Sequence, residues 1–395
     1  VAPPEHADES EKAYDTGAIL MTIWRWANGL VDTPESARIT LGEGNTPLVR
    51  SRRIGPAAGI DRLYFKLEIS NPTGSYKDRF AAAAISDMIA NGQHRCISTS
   101  SGNTGSALAA YCAAAGLPCH IATVETAPDG KLKQMLAYGA DVFRVNGFGL
   151  DAQITEQTFN ALAEIGSREG NALQISAFRY SPVGMTGVQT ISYELNEQSD
   201  GPINHVFCPA GGGGLTLATA RGFRWLVDHG RCESPPAIEC VQPQGNDTIA
   251  GPLRDGAERG RAVSCTSQVS GLQVPSLIDG DEVITACRAS GGTGHLVTDE
   301  SVWNVQRRLA REEGIFCEPA GAVALAGALK AVDSGLIDKN TAIVCLITGS
   351  GFKDEKSLDR MIEACDATCV SIDQIEQHLS DSGETQRSDN GIIRS

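Results

Sequence analysis

Lys77 is the side chain in this sequence best placed to act as a nucleophile. Asn71, Pro72 and Gly74 form a turn before it, and Ala81 to Ala84 with Met88 and Ile89 read as an apolar helix after it, closed by Asn91-Gly92. An ammonium group at a helix N-terminus sits in the positive end of the helix field, so its pKa falls and a neutral amine becomes easier to reach. Such an amine can form a Schiff base with a carbonyl compound. A lysine in a first turn is more often a solvated cation, so other groups must justify the chemistry.

Three glycine-rich turns supply those groups. Ser98-Thr99-Ser100-Ser101-Gly102-Asn103-Thr104-Gly105 follows the strand-like Arg95-Cys96-Ile97 and brings hydroxyls and backbone N–H groups together, which suits a carboxylate or a phenolic oxygen. Pro209-Ala210-Gly211-Gly212-Gly213-Gly214-Leu215 lies between an apolar strand at Ile203 to Phe207 and a helix starting near Leu215. Its four consecutive glycines make a phosphate cradle. Thr348-Gly349-Ser350-Gly351-Phe352-Lys353-Asp354 ends a buried strand at Ala342 to Ile347. Each signal is weak alone; the order of amine, anion loop, phosphate cradle and terminal hydroxyl is specific.

The elements that must position these turns alternate as strand, loop and helix, which predicts an α/β protein built on mainly parallel sheets. A small inserted domain is expected at residues 80–183, with strands at 95–99, 119–124, 141–145 and 172–176 and helices at 105–115, 128–138 and 151–168. Gly116 and Gly139 fall at the helix C-caps. Residues 17–79 with 184–370 form the large domain, and the tails 1–16 and 371–395 are expected to be mobile. The loops at the C-terminal strand ends then face one cleft between the domains.

A chain of 395 residues, 41% hydrophobic and 21% charged, can bury a sizeable core. Its formal net charge of -15 argues against nucleic acid or an anionic membrane as partner. No apolar run approaches a membrane span, and the first residues lack a basic segment followed by an apolar one, so a cytoplasmic protein is expected. The 12 cysteines include no C-x-x-C pair. Cys365 and Cys369, the closest two, are a weak metal signal, and the cysteines read as reduced, buried small residues with no metal site. Neither G-x-G-x-x-G nor G-x-x-x-x-G-K-[ST] occurs, which sets aside dinucleotide and P-loop binding.

From Trp24 to Asp354 the chain resembles the pyridoxal-phosphate enzymes of fold type II, the tryptophan-synthase-like group, and within it threonine synthase. Besides the lysine and glycine segments, the resemblance includes Leu41-Gly42-Glu43-Gly44-Asn45-Thr46-Pro47-Leu48-Val49 and Ala310-Arg311-Glu312-Glu313-Gly314-Ile315-Phe316-Cys317-Glu318-Pro319-Ala320. It implies two α/β domains with helices on both sheet faces, pyridoxal 5'-phosphate as cofactor, a small α-amino acid as substrate and a homodimer. Lys77 would carry the cofactor as a Schiff base and move protons on the substrate. Asn103 would bond the cofactor's phenolic oxygen, Gly211, Gly212, Gly213 and Gly214 its phosphate, and Thr348 its ring nitrogen. A hydroxyl there makes a weaker electron sink than a carboxylate, favouring elimination and replacement over transamination. Ser100, Ser101 and Thr104 would hold the α-carboxylate, and Ser75 would order the lysine loop. Glu318 either lies near the ring or is a helix entry before Pro319. His295 reads as a strand or loop residue, and Asp78 with Arg79 as a local structural pair.

The chain departs from threonine synthase where the substrate should bind. The family's N-P-x-R-x-E-G-Q-K-T segment corresponds to Ser181 to Thr190, with Gly184 in the place of the arginine that holds the phosphate of O-phosphohomoserine. That loss of a bidentate partner makes phosphohomoserine a poor substrate unless Arg179 substitutes. Val269 to Pro275 also differs from the family, and the tetraglycine loop is closer to those of serine and threonine dehydratases. The expected activity is β or γ elimination or replacement, with O-phosphohomoserine to threonine as the family default. The alternatives are a β-eliminating ammonia-lyase or β-replacing enzyme on another polar or anionic amino acid, and an inactive cofactor-binding homologue, against which the retained Lys77 and glycine loop argue.

Overall fold

Ile343–Ile347 is buried along its whole length, as a central strand covered on both faces must be. The computed structural model describes residues 21–362 and 367–380; the 1–16 tail and Cys365 lie outside them. Its strands are β1 Leu48–Arg50, β2 Leu63–Leu67, β3 Arg95–Thr99, β4 Cys119–Val124, β5 Asp141–Val145, β6 Asn171–Leu173, β7 His205–Pro209, β8 Ala237–Pro243, β9 Gly294–Val297 and β10 Ile343–Ile347. They form a six-stranded sheet in the order β1-β2-β10-β7-β8-β9 and a four-stranded sheet in the order β5-β4-β3-β6. Among these ten strands only β1 pairs antiparallel, with β2. His295 lies in β9, where its Nε2 meets Glu239 Oε2 at 2.9 Å.

The helices that bear on function are α1 Lys77–Ala90, α2 Asn103–Ala115, α3 Pro182–Gln198, α4 Gly214–Asp228, α5 Gly280–Ala289 and α6 Pro319–Asp333. Alternate residues of β7 and β10 enter two different apolar clusters. Val206, Cys208, Val344 and Leu346 pack with α1, α3 and α4, while Phe207, Ile343, Cys345 and Ile347 pack with α6. Of the described residues, those up to Ser357 form one compact unit and those from Leu358 on another. The second, among its described residues, contains the short 3-10 turn Ile372–Gln374, whose N-cap is Ser371.

A buried ionic cluster fixes α1 from behind. Arg79 Nη2 lies 2.8 Å from Glu68 Oε1 and Arg79 Nη1 lies 2.6 Å from Glu194 Oε1, and Lys66 Nζ reaches Glu194 Oε2 at 2.6 Å. Thr46 Oγ1 donates to Glu68 at 2.7 Å, so the Gly44-Asn45-Thr46 motif is spent on this cluster. The expected local pairing of Asp78 with Arg79 is not what forms. Asp78 instead accepts from the Thr73 N–H at 2.7 Å and hydroxyl at 2.6 Å, because a first-turn carboxylate is nearer the preceding loop than the next side chain. Arg79→Ala would leave Glu68 buried without its cation and Glu194 with Lys66 alone. We expect a loss of about 3–5 kcal/mol in urea unfolding; a loss below about 1 kcal/mol would mean that the cluster is solvated.

Gly184 and Gly187 let α3 approach α1. A Cβ at Gly187 would lie 2.1 Å from the Arg79 carbonyl oxygen, and one at Gly184 would lie 2.6 Å from Phe80 Cε2. Gly184, which the sequence reading set in the place of the family's arginine, is therefore a helix-packing contact in this chain.

Candidate active site

The ends of β2, β3, β7 and β10 deliver their loops to one cavity of about 420 Å³, lined by Lys77, Ser100–Thr104, Gly211–Gly214, Thr348 and Lys353 among others. Lys77 opens α1. The loop before it is held by backbone pairing: the Tyr76 N–H donates to the Thr348 carbonyl at 3.1 Å, and the Ser350 N–H to the Gly74 carbonyl at 2.8 Å. Ser75 contributes through this backbone alone, since its buried hydroxyl has no partner among the described residues.

The Lys77 amine donates to Ser176 Oγ at 2.7 Å and lies 4.5 Å from the Tyr76 ring centroid. Burial lowers its pKa to about 7, opposed by the charges of Asp279 and Glu318. The sequence argument reached the right direction through the helix field; removal from water is the larger cause. Because the neutral amine is the nucleophile, apoenzyme should reload its cofactor covalently at a rate that rises as pH passes through about 7 and then levels. Stopped-flow absorbance checks this, and a rate still climbing toward pH 10 would show an ordinary, solvated lysine.

The glycine loop joins β7 to α4. Gly213 is the N-cap, with φ 97°, and a Cβ on it would meet Val283 Cγ2 at 2.7 Å. The carbonyl of Gly212 accepts from the Asp279 N–H at 3.0 Å and that of Gly213 from the Leu217 N–H at 3.0 Å. Among the described residues no acceptor engages the N–H groups of Gly211, Gly212, Gly213 or Gly214. Free donors at a helix N-terminus are a site for an anion.

Opposite this loop, Ser100 Oγ accepts from the N–H groups of Gly102 at 3.2 Å and Gly105 at 3.0 Å, which leaves Ser101 and Thr104 as the less committed hydroxyls. Asn103 Nδ2 donates to Glu318 Oε1 at 2.7 Å. Glu318 is the residue before Pro319 at the start of α6, as the helix-entry reading has it, and its side chain also lines the cavity. Burial raises its carboxyl pKa to about 7, against the pull of Lys353, Asn103 and Lys131.

The sequence reading missed Ser176 and Lys131 as lining residues, and it marked the lining segment Ser270–Val274 only as a departure from the family. Lys131 Nζ contacts Ser270 Oγ and lies 3.8 Å from Asp354 Oδ2. Lys353 Nζ donates to Gln134 Oε1 at 2.7 Å. Lys131 carried no signal. Arg179 is not among the lining residues: its backbone N–H donates to Asp279 Oδ1 at 3.1 Å and its guanidinium sits 5.7 Å from the Tyr180 ring centroid. A larger groove of about 830 Å³, lined by Arg221, Arg224 and Arg288 among others, contains none of these groups.

Pyridoxal phosphate fits this donor set. The unengaged glycine N–H groups suit its phosphate, a lowered-pKa amine suits its carbonyl, and the Thr348 hydroxyl lines the same cavity. The sequence profile described as "Pyridoxal-phosphate dependent enzyme" matches residues 39–349. Threonine synthase of Methanosarcina acetivorans is 32% identical over 361 residues, covering 91% of this chain and 86% of that protein. Threonine synthase of Methanocaldococcus jannaschii is 32% identical over 344 residues, covering 86% and 83%. In fold, the chain matches the processed form of threonine deaminase isoform 2 from Solanum lycopersicum with TM-score 0.69 and 22% identity, covering 93% of this chain and 97% of that one. A lysine, a glycine cradle and a hydroxyl around one cavity, in a sequence matched along most of its length, have one common explanation: the chain belongs to the pyridoxal-phosphate-dependent enzymes of fold type II, as a threonine-synthase-like lyase that works by β or γ elimination or replacement.

Proposed function

We propose that this lyase acts on a small α-amino acid bearing an anionic group beyond Cβ, with O-phosphohomoserine giving threonine as the first candidate. The observation that carries this reading is the presence of two ammonium groups, Lys131 and Lys353, in the cavity that also holds Lys77 and the Ser100–Thr104 loop. They supply cationic partners in the cavity that neither Gly184 nor Arg179 provides.

Bound in the cavity, pyridoxal phosphate supplies the electron sink for bonds at the substrate's α-carbon. The chain does the rest. Gly211–Gly214 would hold its phosphate through backbone N–H groups, Thr348 would offer a hydroxyl to its ring nitrogen, and Asn103 would bond its phenolic oxygen. Ser101 and Thr104, with the loop that Ser100 braces, hold the α-carboxylate. The Lys77 amine takes and returns protons on the substrate carbons, and the Ser176 hydroxyl, 2.7 Å away, keeps that amine aimed. Lys131 and Lys353 hold the distal anion.

Release of phosphate with formation of threonine, at a kcat/KM of about 10⁴ M⁻¹s⁻¹ or more, tests the reading. Ammonia and a 2-oxo acid from a β-substituted amino acid, with no threonine, would replace it with the eliminating alternative. Lys131→Ala should raise KM for the phosphorylated substrate about 10–100-fold, the equivalent of one charge-assisted contact, while Arg179→Ala leaves KM unchanged. The reverse pattern would return Arg179 to the site.

The same reading includes a homodimer, which sedimentation would check, and a cytoplasmic location. It also includes a large domain of residues 17–79 with 184–370 around an inserted domain of 80–183. The two separate sheets support that division.

A further inference from the structure

Three buried thiols that the reaction does not use converge in the four-stranded sheet. Cys96 on β3 is the register partner of Cys119 on β4, and Cys112 comes from α2. Their sulphur atoms all lie within 4.8 Å of one another. Cys96 and Cys112 are 0% exposed and Cys119 6%. All three are free thiols. One thiophilic centre with bonds of about 2.3 Å would hold three sulphurs roughly 3.5–4.0 Å apart, so small side-chain adjustments suffice.

Charge decides which centre suits the place. The thiols belong to an apolar cluster with Ala107, Leu108, Ala109 and Ile121. Three thiolates around a monovalent cation would bury two net negative charges, and around a divalent cation one; both are costly in such surroundings. A trivalent centre is neutral. We propose that Cys96, Cys112 and Cys119 form a trithiol site for a trivalent thiophilic element, for which arsenite is the probe. Arsenous acid, As(OH)₃, is small and uncharged. On binding, its three As–O bonds break and three As–S bonds form. Each thiol proton leaves with a hydroxide as water, and no oxidation state changes.

The cofactor-loaded full chain, incubated with sodium arsenite, should gain one arsenic and lose three protons by native mass spectrometry. Alkylation in denaturant, compared with an arsenite-free control in which all three react, should then show Cys96, Cys112 and Cys119 protected together. Cys112→Ser, which leaves only two thiols, should weaken binding at least tenfold, and Cys287→Ser should not. If Cys112→Ser fails to fold, the alkylation map of the unaltered chain decides. Arsenic located on Cys232, Cys265 or Cys369, absence of binding to the folded protein, or stronger protection of the three thiols by cadmium(II) than by arsenite would each overturn the proposal.

Discussion

Lys77→Ala should abolish turnover, with kcat falling by at least about 10³-fold, because one amine serves both as the covalent anchor and as the proton carrier. Buried lysine is costly when charged, as its pKa of about 7 records, so its removal should not weaken the fold. The glycine loop lies on a different element, between β7 and α4, and should still bind pyridoxal phosphate non-covalently. The expected combination is therefore a folded, cofactor-binding, inactive protein that releases all its cofactor on denaturation after borohydride treatment. Retained activity, or cofactor that stays attached, would remove Lys77 from its role.

Gly212→Asp should lower cofactor affinity about 100-fold. Gly212 is absent from the positive-φ glycines, so an L-residue suffers no backbone strain there. Its Cβ would meet Ile278 Cδ1 at 3.1 Å, the far end of a flexible side chain that can yield. What cannot yield is electrostatic: a carboxylate among the N–H donors repels the phosphate and competes for its contacts, each typically worth about 1.5–3 kcal/mol. Gly212→Ala separates size from charge and should cost much less. Equal losses in the two variants, measured by titrating apoenzyme, would mean that shape rather than charge matters at this position.

The parts of the site that were legible in the sequence are those written in one short stretch. A strand, a glycine or hydroxyl run and a helix announce a loop at a strand end, so Ser100–Thr104, Gly211–Gly214 and Thr348 could be named before any coordinates. Gly116, placed at a C-cap by its spacing, adopts φ 68°. Long-range partners were not legible. Arg79 was assigned to its sequence neighbour, yet its carboxylates come from Glu68 and from Glu194 on α3. Gly184 was read only for the ligand it lacks, and its packing against Phe80 was not visible. Lys131 and Ser176 sit in segments of ordinary composition, and only packing brings them to Lys77 and the cavity.

That cavity contains Lys77, Lys131 and Lys353, so the central claim reduces to which amine takes the cofactor. Borohydride reduction of the loaded enzyme, followed by proteolysis and mass spectrometry, reads the answer directly. The cofactor should be found on the peptide containing Lys77, with Lys131 and Lys353 unmodified. Its recovery on Lys131 or Lys353 instead would contradict the account.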